Sequence, residues 1–130
     1  MKMRRRNSHG FTLIELLIVV LLISVLASIA LGRFTRVRER SQIAAMQSDL
    51  RNLATSQENY FVNNLAYTTT LADLQFNVSE AISISIPVAS VNGWRATASH
   101  TAVANTDCEI YYGTATGAST ASQPAIVMCG

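Results

Sequence analysis

Three sets of residues in this sequence carry chemistry worth weighing: a carboxylate, a pair of thiols and an imidazole. Glu15 is the one charge in an apolar run of 22 residues, Phe11 to Gly32. A carboxylate near a bilayer centre costs on the order of 2.5 kcal/mol or more, and less near the edge. Such a group either takes a partner or lies at the interface and snorkels. Cys108 and Cys129 both lie near the C-terminal end. Beyond a membrane segment, an even pair in a small domain suggests one disulfide in an oxidising compartment; the alternative is two unrelated buried thiols. His100 stands alone within an alternating stretch and reads as a strand residue, while His9 falls in the basic start.

Catalytic signatures do not emerge. We find no nucleophile elbow, phosphate-binding loop, metal-ligand cluster or paired carboxylates, so no enzyme, cofactor or metal is expected. Two cysteines without a nearby histidine do not make a zinc site. Asp107 and Glu109 are the only acidic groups near the C-terminus that calcium could use.

The elements that must position these groups begin with the apolar run. At about 1.5 Å per residue it reaches roughly 33 Å, the thickness of a bilayer core. A cleaved export signal is the rival reading, with small residues at Ser28-Ile29-Ala30 and a mature start at Leu31. Yet the run exceeds the roughly 7–15 apolar residues of such signals. Arg33, Arg36, Arg38 and Arg40 also follow it at once.

Charge is unevenly placed. The whole chain has 130 residues and a formal net charge of +2. Lys2, Arg4, Arg5 and Arg6 all precede Gly10. Without them, six basic residues face eight acidic ones, and a basic nucleic-acid binder is a poor reading. Basic residues flank the apolar run on both sides, so they do not fix its orientation. The cysteines place the C-terminal part outside the cytoplasm.

Gly10-Phe11-Thr12-Leu13-Ile14-Glu15-Leu16, after a short basic leader and before an unbroken apolar helix, resembles the processing site of type IV pilins and type II secretion pseudopilins. The resemblance implies a residue-by-residue mechanism. A membrane prepilin peptidase would cut between Gly10 and Phe11 and methylate the new Phe11 amine. Gly10 would let the protease approach the backbone closely. Glu15 would attract the amine of a neighbouring subunit entering the filament, since each charge alone is expensive in a low dielectric. The apolar helix would hold the subunit in the inner membrane first and pack in the filament core afterwards. Ser24, Ser28 and Gly32 recur every four residues, a stripe that lets helices approach closely. Many members carry Pro where this chain has Gly32, and Gly where it has Ser24. Gly32 weakens a helix by about 1 kcal/mol, less than Pro would.

Downstream, Ile43, Met46, Leu50, Leu53, Gln57 and Tyr60 (or Phe61) follow a helical spacing, and Asn63-Asn64 is a reasonable stop. Ala66 to Leu74 reads as a connecting loop. Ile82 to Ile86 alternates as a half-buried strand, with Pro87 marking its end or a sheet edge. Asn92-Gly93 signals a hairpin turn into a second strand, Trp94 to His100. Cys108 to Tyr112 and Ala125 to Cys129 are expected as third and fourth strands. The fold class is α+β: a long N-terminal helix, membrane-spanning in its first half, on a small antiparallel sheet. We expect a cleaved leader at 1–10, a transmembrane or filament-core helix at 11–32, its amphipathic continuation at 33–64, and a sheet domain with a C-terminal disulfide loop at 65–130.

The resemblance implies a structural subunit of a type IV pilus, a homo-oligomeric helical filament serving adhesion, motility or DNA uptake. Its partners would be the prepilin peptidase, an inner-membrane assembly platform and, before assembly, the membrane; no direct nucleic-acid site is evident. It would be a single-pass inner-membrane protein first and extracellular afterwards. The rivals are a type II secretion pseudopilin, whose C-terminal loop is commonly held by calcium instead of a disulfide, and a soluble exported binding domain.

Overall fold

The structure, a computed structural model, describes residues 10–115 and 120–130. The basic leader residues 1–9 and the tip of the C-terminal loop, 116–119, lie outside the described residues. One helix, α1 (Leu13–Asn64), is followed by a short 3-10 turn (Leu71–Leu74) and four strands: β1 (Ile82–Ser90), β2 (Gly93–His100), β3 (Cys108–Gly113) and β4 (Met128–Cys129). The strands form one antiparallel sheet in the order β1-β2-β3-β4. The architecture is α+β, as the hydrophobic periods indicate. The chain divides into two compact units, Met1–Arg36 and Val37–Gly130, which are described separately.

In the first unit, α1 starts at Leu13, two residues later than Phe11, because Thr12 caps it. The helix is long and apolar enough to cross a membrane, with a mean hydropathy of 2.9 over its most apolar stretch. None of its apolar side chains is covered: Leu13, Leu17, Leu26 and Leu31 are all exposed. Neither Ser24 nor Gly32 interrupts it. Each serine hydroxyl donates back to its own helix, Ser24 to the Leu21 carbonyl at 2.8 Å and Ser28 to the Ser24 carbonyl at 2.8 Å. Their polarity is thereby satisfied within the helix.

In the second unit the helical stripe packs on the sheet. Met46, Leu50, Leu53 and Gln57 are fully buried, with Ile43 and Tyr60 at the margin. Opposite them, β2 turns Trp94, Ala96 and Ala98 inward. The two alanines have no bulk to hold the helix away, and Trp94 fills the space at one end. Burying each leucine contributes about 1.5–3 kcal/mol. The alternation in β1 holds: Ile82 and Ile86 are buried and Ile84 half-buried, while Ser83 and Ser85 face out.

Two boundaries, the hairpin loop and the start of β4, depart from expectation, and of the two readings of Pro87 the sheet edge holds. Pro87 does not end β1; the strand continues to Ser90 through an irregular register between Ser85 and Val88. An edge strand tolerates the missing N–H there. The hairpin loop is Val91-Asn92, one residue earlier than the Asn92-Gly93 expected, because Gly93 is already paired with Ser90 and Gly113. A side chain at Gly93 would overlap the Tyr112 carbonyl oxygen, and one at Gly113 the Asn92 carbonyl oxygen. These glycines are needed for close approach across β2 and β3. Finally, β4 spans only Met128–Cys129, since Ala125 sits at φ 62 and breaks the extended run.

Two polar contacts that the sequence reading missed hold the connection after α1. Gln57, one of the stripe residues, donates from Nε2 to the Thr68 carbonyl at 2.6 Å and accepts from the Thr68 N–H at 3.1 Å. Asp49 is also buried on this face; its carboxylate accepts from the Ser79 N–H at 2.8 Å and the Ser79 hydroxyl at 2.9 Å. Replacing Asp49 by Ala removes the acceptor that the Ser79 N–H and hydroxyl both use. We expect a loss of about 2–3 kcal/mol, with Asn, which keeps one acceptor, losing less. Denaturant unfolding of the two variants checks this.

Tyr67 closes the same end. Its N–H bonds the Ser90 carbonyl at 3.3 Å, and its ring lies 4.6 Å from Phe61 and 6.1 Å from Tyr112, centre to centre. Burial, then the Glu58 carboxylate that accepts from its hydroxyl at 3.1 Å, pushes the Tyr67 hydroxyl up to about 12 from 10.0. The folded state thus holds this proton more tightly than the unfolded one. The resulting stability is whole below about pH 10 and is lost as pH climbs toward 12. Over that window the parent is expected to lose stability more steeply than Tyr67→Phe, as measured by thermal melts across the pH series.

Candidate functional site

The N-terminal residues form a compact capping arrangement. Thr12 precedes the first helical residue, and Glu15 is the third. The Thr12 N–H donates to Glu15 Oε2 at 3.0 Å, and the Thr12 hydroxyl donates to the same oxygen at 2.9 Å. In return the Glu15 N–H donates to the Thr12 hydroxyl oxygen at 3.3 Å. This is the reciprocal box of a Thr-x-x-Glu helix start, and it satisfies backbone donors that a helix end leaves bare. The sequence carried this signal, but Glu15 was read only for its charge.

The geometry leaves Glu15 a second capacity. Both intrachain bonds to the carboxylate use Oε2, and Oε1 has no partner among the described residues. One carboxylate oxygen can therefore fix the helix start while the other accepts from a donor outside the chain. Gly10 and Phe11 lie outside the helix, and both are exposed. A side chain built at Gly10 meets nothing within 4 Å. Among the described residues no contact demands a glycine there. Gly32 likewise meets nothing within 4 Å of a built side chain, so its small size serves no contact within this chain.

The C-terminal region is fastened at several points. Cys108 and Cys129 are disulfide-bonded and sit directly opposite each other in β3 and β4, with Cα atoms 4.0 Å apart. Backbone bonds between Asp107 and Gly130, at 3.1 and 3.3 Å, extend this pairing by one step. Glu109 is buried, and its Oε2 accepts from the backbone N–H groups of Thr120 and Ala121 at 2.8 and 3.1 Å. Its Oε1 lies 3.9 Å from Arg95 Nε. The sequence reading weighed Glu109 with Asp107 for calcium; instead Glu109 holds the returning end of the loop. Among the described residues no group of three or more His, Cys, Asp or Glu stands together to hold a metal ion. His100 lies on β2 and accepts at Nδ1 from the Ala102 N–H at 3.0 Å, a local contact.

Comparison with known proteins bears on the N-terminal arrangement. Residues 5–31 match the family described as the prokaryotic N-terminal methylation motif. The chain is 35% identical over 99 residues to the type IV wide pilus major component PilA4 of Thermus thermophilus, covering 73% of this chain and 76% of the relative. It is 29% identical over 73 residues to the type II secretion system core protein G of Pseudomonas aeruginosa, covering 56% and 51%. It is 36% identical over 78 residues to the type IV major pilin protein PilA of Myxococcus xanthus, covering 58% and 36%. The chain thus spans three quarters of the first, about half of the second and about a third of the third.

Proposed function

Because the chain belongs to the family of type IV pilins and type II secretion pseudopilins, we propose that it is a structural filament subunit, the major pilin of an extracellular type IV pilus. The observation that carries this is the N-terminal arrangement. Gly10 is small for no internal reason, Phe11 is exposed, and Glu15 keeps one carboxylate oxygen for an outside donor.

In this reading residues 1–10 are a leader. A prepilin peptidase removes it between Gly10 and Phe11, and the Phe11 amine is methylated. The exposed apolar helix of residues 11–32 holds the subunit in the inner membrane, with its C-terminal domain outside the cytoplasm. An assembly platform then draws it into the filament. There the amine of one Phe11 meets the Glu15 carboxylate of a neighbour. The pairing serves register, because a charge left single in the helix-packed core is costly. Residues 33–64 continue the spine, and residues 65–130 form the outer domain. Adhesion, motility and DNA uptake are the services such a filament would perform.

A pseudopilin is the second reading, favoured by the likeness to type II secretion core proteins G. The disulfide closing the C-terminal loop supports the pilus over it. Deleting the gene and labelling the parent surface with antibody to the outer domain separates the two. Labelled filaments that vanish on deletion support the pilus. Loss of protein secretion with no labelled surface filament would contradict it.

A further inference from the structure

A pocket of about 470 Å³ opens in the second unit between the last two turns of α1 and the 3-10 turn. Asn59, Tyr60, Asn63 and Asn64 line it from the helix, and Asp73 and Gln75 from the other side. Leu74 is the one aliphatic residue in the lining, and it is buried. The volume falls within the range of small-molecule sites. Every lining residue belongs to one copy of the chain, so the pocket exists whether or not the filament reading holds.

Its hydrogen-bonding groups are largely unspent. Asn63 and Asn64 each donate from Nδ2 to a carbonyl one turn back, at 3.0 Å, which turns each Oδ1 into a fixed acceptor. Asp73 Oδ2 accepts from the Thr68 hydroxyl at 3.1 Å, leaving Oδ1 open. The side-chain amides of Asn59 and Gln75 and the Tyr60 hydroxyl make no hydrogen bond among the described residues. Gln75 also holds φ 47, a left-handed conformation that a glutamine adopts at a cost.

The class of ligand follows by elimination. An apolar molecule would strip water from amides and a carboxylate without replacing it. An anion meets no Lys, Arg or His in the lining. It would also face Asp73 and the negative end of the α1 dipole. A metal ion lacks the required cluster of ligands. An organic cation would suit Asp73 and the helix end, but it brings only donors and would leave the amide N–H groups of Asn59 and Gln75 without acceptors; the lining's donors and acceptors together suit a neutral molecule rich in hydroxyls. Each amide presents a donor and an acceptor side by side, which suits adjacent hydroxyl groups, and the Tyr60 ring adds an apolar face. We propose that this pocket binds a neutral saccharide.

The test uses the full chain in a detergent whose headgroup contains no sugar. Galactose, glucose, mannose and their N-acetylamino relatives are titrated by saturation-transfer NMR, with glucose 6-phosphate and inorganic phosphate as anionic counterparts. At least one neutral sugar is expected to bind saturably, with a dissociation constant of about 1–10 mM. Asn59→Ala and Asp73→Asn should each weaken it about tenfold, and Ser99→Ala, on the exposed face of β2, should not. No saturable neutral sugar, preference for the phosphorylated sugar, or unchanged binding in both pocket variants would overturn the proposal. Protection of backbone amides from exchange confirms that each variant is folded.

Discussion

Cells whose only copy carries Glu15→Ala are expected to process the leader but to lose surface filaments by more than a hundredfold. Two terms contribute in this reading, of which the structure shows the first. Removing the carboxylate opens the capping box with Thr12, a loss of about 1 kcal/mol at the helix start. In the proposed filament it would also leave the amine of an incoming neighbour unpaired in a low-dielectric core, at about 3–5 kcal/mol. The second term is the larger, and each 1.4 kcal/mol is about tenfold in an equilibrium. Glu15→Gln isolates it, because a glutamine at the third helical position still closes the box. If the charge governs docking, Gln should fail nearly as completely as Ala. If Gln assembles like the parent, the role of Glu15 is confined to the cap. Electron microscopy of sheared filaments, with the leader state read by mass, reports both outcomes.

The second large effect belongs to the disulfide. With Cys108→Ser and Cys129→Ser together, we expect a loss of about 3 kcal/mol. For a unit of this size that is about 12–24 °C in melting temperature. The figure is large because little else closes the loop. β4 is two residues long, extended by the Asp107–Gly130 backbone bonds and by one bond from the Ala125 N–H to the Tyr111 carbonyl at 2.8 Å. Glu109 holds Thr120 and Ala121 from the β3 side, but its grip does not constrain the unfolded chain as a covalent link does. Melting the oxidised, the reduced and the doubly substituted protein gives the answer. Reduced and substituted forms should agree, and a shift below about 4 °C in either would show that the Glu109 contacts suffice.

Much of the fold was legible in residue spacing. The stripe from Ile43 to Tyr60 and the alternation of Ile82, Ile84 and Ile86 are periodic signals, and burial follows them closely. The elements that moved are those set by single backbone angles and close contacts. Ala125 at φ 62 shortens β4, and no side-chain pattern announces that angle. Gly93 was read as a turn residue, yet its glycine is required by the Tyr112 carbonyl across β3, a neighbour remote in sequence. The polar anchors were harder still. Asp49 and Glu109 are partnered by backbone amides 30 and 11 to 12 residues away, and an amide donor has no signature in sequence. Gln57 sat in plain view within the stripe, but which amide it holds depends on where the chain returns after α1.

The Thr12–Glu15 pair is the instructive case at the candidate site. Its Thr-x-x-Glu spacing states a capping box outright, alongside the charge that Glu15 brings into an apolar run. Reading both gives Glu15 two compatible tasks on two oxygens.

Where the mature chain begins and where it goes distinguish a filament subunit from a soluble exported domain. The direct test is the intact mass of this protein in filaments sheared from the cell surface. A chain beginning at Phe11, heavier by CH2 for the N-methyl group and lighter by two hydrogens for the Cys108–Cys129 bond, is the predicted result. A soluble exported chain beginning at Leu31, absent from the filament fraction, would contradict it.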